Sequence, residues 1–234
     1  MKHKEIISAA IIALGICVLG WFVKAGIDDF VGKDRRVSVK GLAEQEVAAD
    51  KVTWPIVSKE VGNDLPSLYD RIGATQSKIK NFLTAAGITA DELTENAPAV
   101  ADLGAREYGD RNMPYRYIVT SVITVTSKDV PKVRGIMARQ GDLLKEGVAI
   151  VDGGYENPVK YEFVAFREMK PAMMQEAIAN AEKTAEQFAE NSHSRLDKII
   201  SADQGQFSIE DRDSNTPWIK KVRVVTTITY SLKN

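Results

Sequence analysis

Apolar and polar positions follow two different rhythms, and the rhythm changes near residue 36. Before that point, Ile6 to Val23 reads IISAAIIALGICVLGWFV, eighteen residues with no charge and no polar face. As a helix it would reach about 27 Å at 1.5 Å per residue, close to the roughly 30 Å hydrocarbon core of a bilayer. After that point the pattern becomes periodic. In KVRVVTTITYSL (221–232), Val222, Val224, Thr226, Ile228, Tyr230 and Leu232 share one face, which predicts a strand. YRYIVTSVITVTS (115–127) is rich in β-branched and aromatic residues, with apolar side chains on both faces, and predicts a central strand. Further strands are predicted over 159–168 and 196–210. Val52, Trp54 and Ile56 alternate as well, with Pro55 implying an edge position or a bulge.

Helical spacing interleaves with these strands. One helix is capped by Asp64, carries Pro66 in its first turn, puts Leu68, Ile72, Ile79, Phe82, Leu83 and Ala86 on one face, and closes at Gly87. A second follows Asp129, buries Val133, Ile136, Met137, Gln140 and Leu144, and ends at Gly147. A third, over 171–193, repeats alanine at 177, 181, 185 and 189 beside Ile178 and Phe188. Small side chains at that spacing let a helix lie close to its neighbour. The order predicts an α+β fold: an antiparallel or mixed sheet with three helices packed on it in repeated βαβ-like units, preceded by one N-terminal transmembrane helix. No residue-level repeat accompanies the units.

For the N-terminal run, an uncleaved single-pass anchor over residues 1–26 is favoured. A cleaved signal peptide has a shorter core, of about 7–15 residues, and small residues before the cut; here Trp21 and Phe22 stand near the end, and VKA at 23–25 offers a weak site. A lipoprotein needs a small residue before its cysteine, and Ile16 precedes Cys17. A juxtamembrane linker follows at 27–36, and the domain proper at 37–234. Counting Lys24, Lys33, Arg35 and Arg36 against Lys2 and Lys4 favours a cytoplasmic C-terminal side, but that rule weakens for long translocated segments. A basic leader before an apolar run leans towards export.

Composition removes several classes. With 31 basic and 32 acidic residues, a net charge of −1 and 44% apolar content, the chain has ample core and no field to draw nucleic acid. Cys17 is alone, so no intramolecular disulfide forms. DGGY (152–155) is a turn with no helix signal after it, and no Cys or His spacing suits zinc. DRDSN (211–215) copies the first oxygens of a calcium loop, but Thr216, Pro217 and Val222 stand where its glycine and closing acid belong, so it reads as a hairpin turn. His193, in NSHSRL, suits a helix end, where the dipole favours it, better than catalysis. Glu176, Glu182, Glu186 and Glu190 read as a solvated face. The expectation is no catalytic residue, no cofactor and no metal.

The segment VSVKGLAEQEVAADKVTW (37–54) resembles the opening of SIMPL domains, with Val37, Val39, Gly41, Ala49 and Asp50 matching Val-x-Val-x-Gly and the Ala-Asp pair that leads into a long strand. NFLTAAGITADELT (81–94), the alanine ladder running into RLDKIIS (195–201), and the closing VRVVTTITYSL resemble that family in order and spacing, over about residues 36–233. The stretch 101–117 is longer and more polar than the family pattern. The resemblance implies an envelope-associated α+β domain, ring- or channel-like oligomers in some members, a link to envelope or oxidative stress, and no catalytic residues. Val37, Val39, Gly41 and Asp50 are then structural or assembly residues. Gly41 would allow a bend or a close approach between two strands, and Asp50 would fix the turn into the next.

The leading expectation is a non-enzymatic, membrane-anchored envelope protein of the inner membrane. It holds the membrane through residues 6–23, places its domain in the periplasm, and self-associates into an oligomeric scaffold or channel-like assembly. The alternative is a ligand- or partner-binding sensor using Tyr108, Tyr115, Tyr117 and Trp218, its ligand unspecified. A hydrolase using His193 is a distant third.

Overall fold

In a computed structural model, residues 2–32, 35–105 and 113–233 are described, with side chains of the first helix described from residue 12 to 27. That helix, α1, spans Lys2–Gly32. The described part of its surface is exposed throughout, with Leu14 at 70% and Trp21 at 67%. Among the described residues no helix is long and apolar enough to cross a membrane. The transmembrane span expected over 6–23 is therefore not supported there. Side chains of 6–11 lie outside the described residues, and the described stretch would reach only about 24 Å as a helix. Residues 106–112 of the polar stretch 101–117, Tyr108 among them, also lie outside the described residues.

The chain divides into two compact units. The first takes residues 1–45, 168–208 and 222–234, and the second takes 46–167 and 209–221. The strands are β1 (Arg36–Ala48), β2 (Lys51–Gly62), β3 (Leu93–Glu95), β4 (Ala99–Asp102), β5 (Tyr117–Ser127), β6 (Ile150–Val151), β7 (Lys160–Glu162), β8 (Arg195–Gln204), β9 (Ser208–Asp211) and β10 (Ile219–Lys233). The helices after α1 are α2 (Leu65–Ala85), α3 (Val130–Ala138), α4 (Gly141–Lys145) and α5 (Phe166–Asn191). One sheet has the order β1–β10–β8, with β9 also on β10; the other runs β3–β5–β2–β6, with β4 on β5 and β7 on β2. The expected α+β class holds, with antiparallel pairing of β8 with β10 and throughout the second sheet.

The helix count differs from the expected three. The second predicted helix divides into α3 and α4, because Arg139 caps the first and Gln140 starts the second. The break rotates the face by a step, so Leu143 is buried while Leu144 is 61% exposed and Gln140 is exposed. The predicted strand over 159–168 shrinks to β7, and α5 begins at Phe166 rather than at 171, with Pro171 inside it.

In the first unit the alanine ladder of α5 is buried at Ala177, Ala181, Ala185 and Ala189. Ala181 and Ala185 pack with Val39, Ile228 and Tyr230, flanked by Val37 and Leu196. In the second unit Val52, Trp54 and Ile56 of β2 meet Ile123 and Val125 of β5, Ile79 and Leu83 of α2, and Val133 and Ile136 of α3. Asp64 caps α2 by accepting a hydrogen bond from Ser67 N–H at 3.0 Å.

Three helices end in the same way. Ile88 N–H donates to Leu83 O and Gly87 N–H to Thr84 O; Val148 N–H donates to Leu143 O and Gly147 N–H to Leu144 O; Ser194 N–H donates to Ala189 O and His193 N–H to Glu190 O. This is the Schellman arrangement, whose pivot takes a left-handed backbone. The pivots are Gly87 at φ 92°, Gly147 at φ 77° and His193 at φ 52°. Only the third has a Cβ to strain. His193→Gly is therefore expected to raise stability by up to about 1 kcal/mol, read as a higher urea midpoint.

Candidate functional site

The segment 37–54 is organised around close approach and capping. Val37 is half-buried and Val39 buried, both facing α5. Gly41 lies against the α5 backbone. A Cβ there would stand 2.7 Å from Ala181 N and 2.8 Å from Ala181 Cβ, and would collide with the Ala177 carbonyl oxygen. The close approach expected between two strands is thus made between a strand and a helix, because alanine at 177 and 181 leaves the helix backbone uncovered. Asn180 Nδ2 donates to Leu42 O at 2.8 Å beside this contact.

Asp50 sits in the second unit, at the bend between β1 and β2. Its Oδ1 accepts from Val164 N–H at 2.6 Å and its Oδ2 from Ala165 N–H at 2.7 Å, the two amides just ahead of α5. Asp50 N–H donates to Glu162 O at 3.0 Å and Ala49 N–H to Trp218 O at 2.8 Å. A turn residue in sequence therefore ties down a chain segment more than a hundred residues away. A cavity of about 450 Å³ adjoins it, lined by Lys51, Lys128, Val164 and Ala165 as well as Asp50 itself.

A polar cluster joins Glu92, Ser127 and Lys132. Ser127 hydroxyl donates to Glu92 Oε1, Thr89 N–H donates to Oε2 at 3.0 Å, and Lys132 Nζ lies 3.8 Å from Oε2. Ser127 Oγ also accepts from Asp129 N–H at 3.1 Å. Ser127 is only 4% exposed, so its oxygen is committed to the turn. The Ser127 hydroxyl first, then Thr89 N–H and Lys132, hold the Glu92 carboxyl below its ordinary value of 4.5. A carboxylate with a depressed folded pKa stabilises the fold above its unfolded pKa and loses that contribution as pH falls through the folded one. Wild type is expected to lose stability below about pH 4.5 more steeply than Glu92→Gln. Urea midpoints measured from pH 7 to pH 3 test this.

The hairpin turn 211–216 is closed by its own donors. Asp213 Oδ1 accepts from Asn215 and Thr216 N–H, both at 2.8 Å, while Oδ2 receives the Thr216 hydroxyl and Arg212 Nε. The Thr216 hydroxyl first, then Arg212, lower the Asp213 pKa to about 2. His193 is exposed and forms the αL pivot of its helix end; neither flanking serine bonds to it, since Ser192 and Ser194 hydroxyls donate to Ala189 O and Ser192 O.

Of the aromatics named for a sensor, Tyr117 packs beside Leu68, Ile72 and Val119, with Arg116 over its ring at 5.0 Å. Trp218 packs on the larger core with Arg134 at 3.4 Å over its face and Tyr161 at its edge. Tyr115 is half-buried. Tyr155 is the aromatic that projects freely, at 104% exposure. The signal for it was a tyrosine inside a Gly-Gly turn. The second feature missed is the isoleucine pair on the predicted strand β8, where Ile199 is 57% and Ile200 45% exposed. Its register against β10 slips on either side of Tyr230, leaving extra residues in β8. Such bulges turn neighbouring side chains the same way, and the consecutive isoleucines, which break strict alternation, were the clue.

Together these features define a two-unit α+β protein with antiparallel sheets, whose distinctive motif is architectural. The chain belongs to the SIMPL family, described as a protein of unknown function (DUF541), whose model matches residues 37–229. No curated protein matches it.

Proposed function

We propose that this SIMPL protein is a non-enzymatic, membrane-anchored envelope protein whose domain self-associates into an oligomeric scaffold. The observation that carries the reading is β8, a ten-residue edge strand exposed along nearly its whole length, Ile199 and Ile200 included. Long exposed edges invite pairing. The bulges around Tyr230 disfavour a further strand there, so the isoleucine side chains make the contact. The apolar surface of α1 supports an anchor, because Ile12, Leu14, Ile16, Leu19, Trp21 and Phe22 are each more than 60% exposed and would be satisfied by lipid. An inner-membrane location with the domain in the periplasm belongs to the same proposal, as does the stress link that the family resemblance suggests.

Light scattering on the full chain in a non-ionic detergent, with the detergent mass subtracted, tests this. Wild type is expected to hold a discrete multimer across a wide concentration range, and Ile199→Lys with Ile200→Lys to dissociate it. A wild-type monomer would remove the proposal, and an unchanged multimer in the double variant would remove β8 from it.

A further inference from the structure

Strand β2 is paired along its whole length by β5 on one side. On the other it is paired by β7 at Lys51–Thr53 and by β6 at Val57 and Ser58. Trp54, Pro55 and Ile56 fall between and have no strand partner on that side. Successive residues of an antiparallel strand direct their N–H and C=O to alternate edges. Asn96 N–H donates to Val122 O on the β3 side, so Ile123 and Val125 turn to β2 and bond Ile56 and Trp54; Pro55 therefore directs its carbonyl into the gap. The chain joining β6 to β7 arches away and leaves a cavity of about 340 Å³, lined by Trp54, Pro55, Ile150, Asp152, Asn157 and Pro158 among others. That volume lies at the small end of ligand sites, which run from about 300 to 1,000 Å³. A second recess shares Asp152 and Pro158 and has Tyr155 in its wall.

The arch has a defined shape. Asn157 N–H donates to Gly153 O at 3.1 Å, and Gly154 N–H donates to Asp152 Oδ1 at 3.1 Å. Gly154 takes φ 58°, and a Cβ on Gly153 would stand 2.8 Å from Asn157 Cβ. Asp152 Oδ2 makes no bond among the described residues, so one carboxylate oxygen remains for a ligand.

The lining has one sign. Asp152 is the charged group shared by both recesses, and among the described residues no lysine or arginine lines either. The remaining lining is the edge of the buried Trp54, prolines and aliphatic residues with neutral amides. An anion would meet a carboxylate with no counter-charge. A neutral apolar molecule would leave the Pro55 carbonyl without a donor. An ammonium group brings several donors and a positive charge, and its apolar tail suits the Trp54 and proline walls. We infer that the gap in the β2 ladder is a binding site for a small organic ammonium ion, its head on Asp152 and the open Pro55 carbonyl.

The test uses the full chain in maltoside micelles, free of cationic detergent, with nitrogen-15 tryptophan; the Trp54 indole signal is assigned by Trp54→Phe. The probes are n-butylammonium, n-butanol and n-butyrate at matched ionic strength. Butylammonium is expected to shift the Trp54 signal saturably and to bind about tenfold tighter than butanol, as one charge-assisted contact would give. Butyrate is expected to leave it unmoved. Asp152→Asn keeps the Oδ1 acceptor for Gly154 N–H, so the arch is retained, and it is expected to abolish the tenfold preference. No saturable shift with butylammonium, equal affinity for amine and alcohol, or a preference that survives Asp152→Asn would each overturn the inference.

Discussion

Gly41→Ala is expected to lower the stability of the first unit by about 3 kcal/mol, the upper end for overpacking a well-packed contact. The new methyl has no side chain to push aside. It meets backbone, the Ala177 carbonyl oxygen and Ala181 N at 2.7 Å, on a helix whose neighbouring ladder positions are already buried. Helix α5 must lift from β1, and the contacts of Val39, Ala181, Ala185, Ile228 and Tyr230 loosen together. Gly73→Ala is the control. Nothing lies within 4 Å of a Cβ there and the site is inside α2, so the same change is expected to stabilise, by about 0.5–1 kcal/mol. Amide hydrogen exchange should localise the Gly41 loss to α5, β1 and β10. A Gly41→Ala protein as stable as wild type would show that the α5 contact is not needed for the fold.

The second large effect is at Asp50. Removing its carboxylate strands the N–H groups of Val164 and Ala165, now bonded at 2.6 and 2.7 Å. Charge-assisted bonds of this kind contribute about 1.5–3 kcal/mol each, less where water reaches them. The half-buried position of Asp50 places the loss for Asp50→Ala at about 2 kcal/mol in total. Asp50→Asn keeps one acceptor oxygen and is expected to lose about half as much. Urea unfolding gives the energies, and faster exchange of the Val164 and Ala165 amides identifies the cause. Equal stability of Asp50→Ala and wild type would mean that other contacts hold this connection.

Both residues were recognisable in sequence as residues of shape, and neither partner was. Gly41 stood out as a glycine in an alternating run, but nothing in that run names Ala177 or Ala181. Asp50 read as a turn residue because it ends one run and opens another. Its ligands are amides at 164 and 165, in a stretch that sequence assigned to a strand. That stretch, VKYEFVAFRE, has strand-like composition, yet α5 begins at Phe166. Asp50 satisfies the two amides just ahead of that helix, an interaction that local composition cannot register.

Local signals performed well where local physics decides. Asp64, Pro66 and Gly87 bracket α2 because capping and αL reversal depend on residues within one turn. Strand β10 follows its alternation because one face must be buried, and β5, apolar on both faces, is the central strand expected, between β2 and β3. The alanine ladder announced a close contact because small side chains at every fourth position serve little else. Pro55 implied an edge or a bulge; β2 is central, yet Pro55 falls where its second neighbour is missing.

The sequence by itself therefore determined the class of fold, the caps of α2, the buried faces of α2 and β10, and membership of the family. Only the tertiary structure decided which backbone meets Gly41, which amides Asp50 holds, where the β2 ladder opens, and that Ile199 and Ile200 both turn outward. The physical reason is separation along the chain. Caps and periodicity are fixed by neighbours a few residues apart, whereas pairing, close approach and gaps depend on segments whose meeting no local pattern encodes.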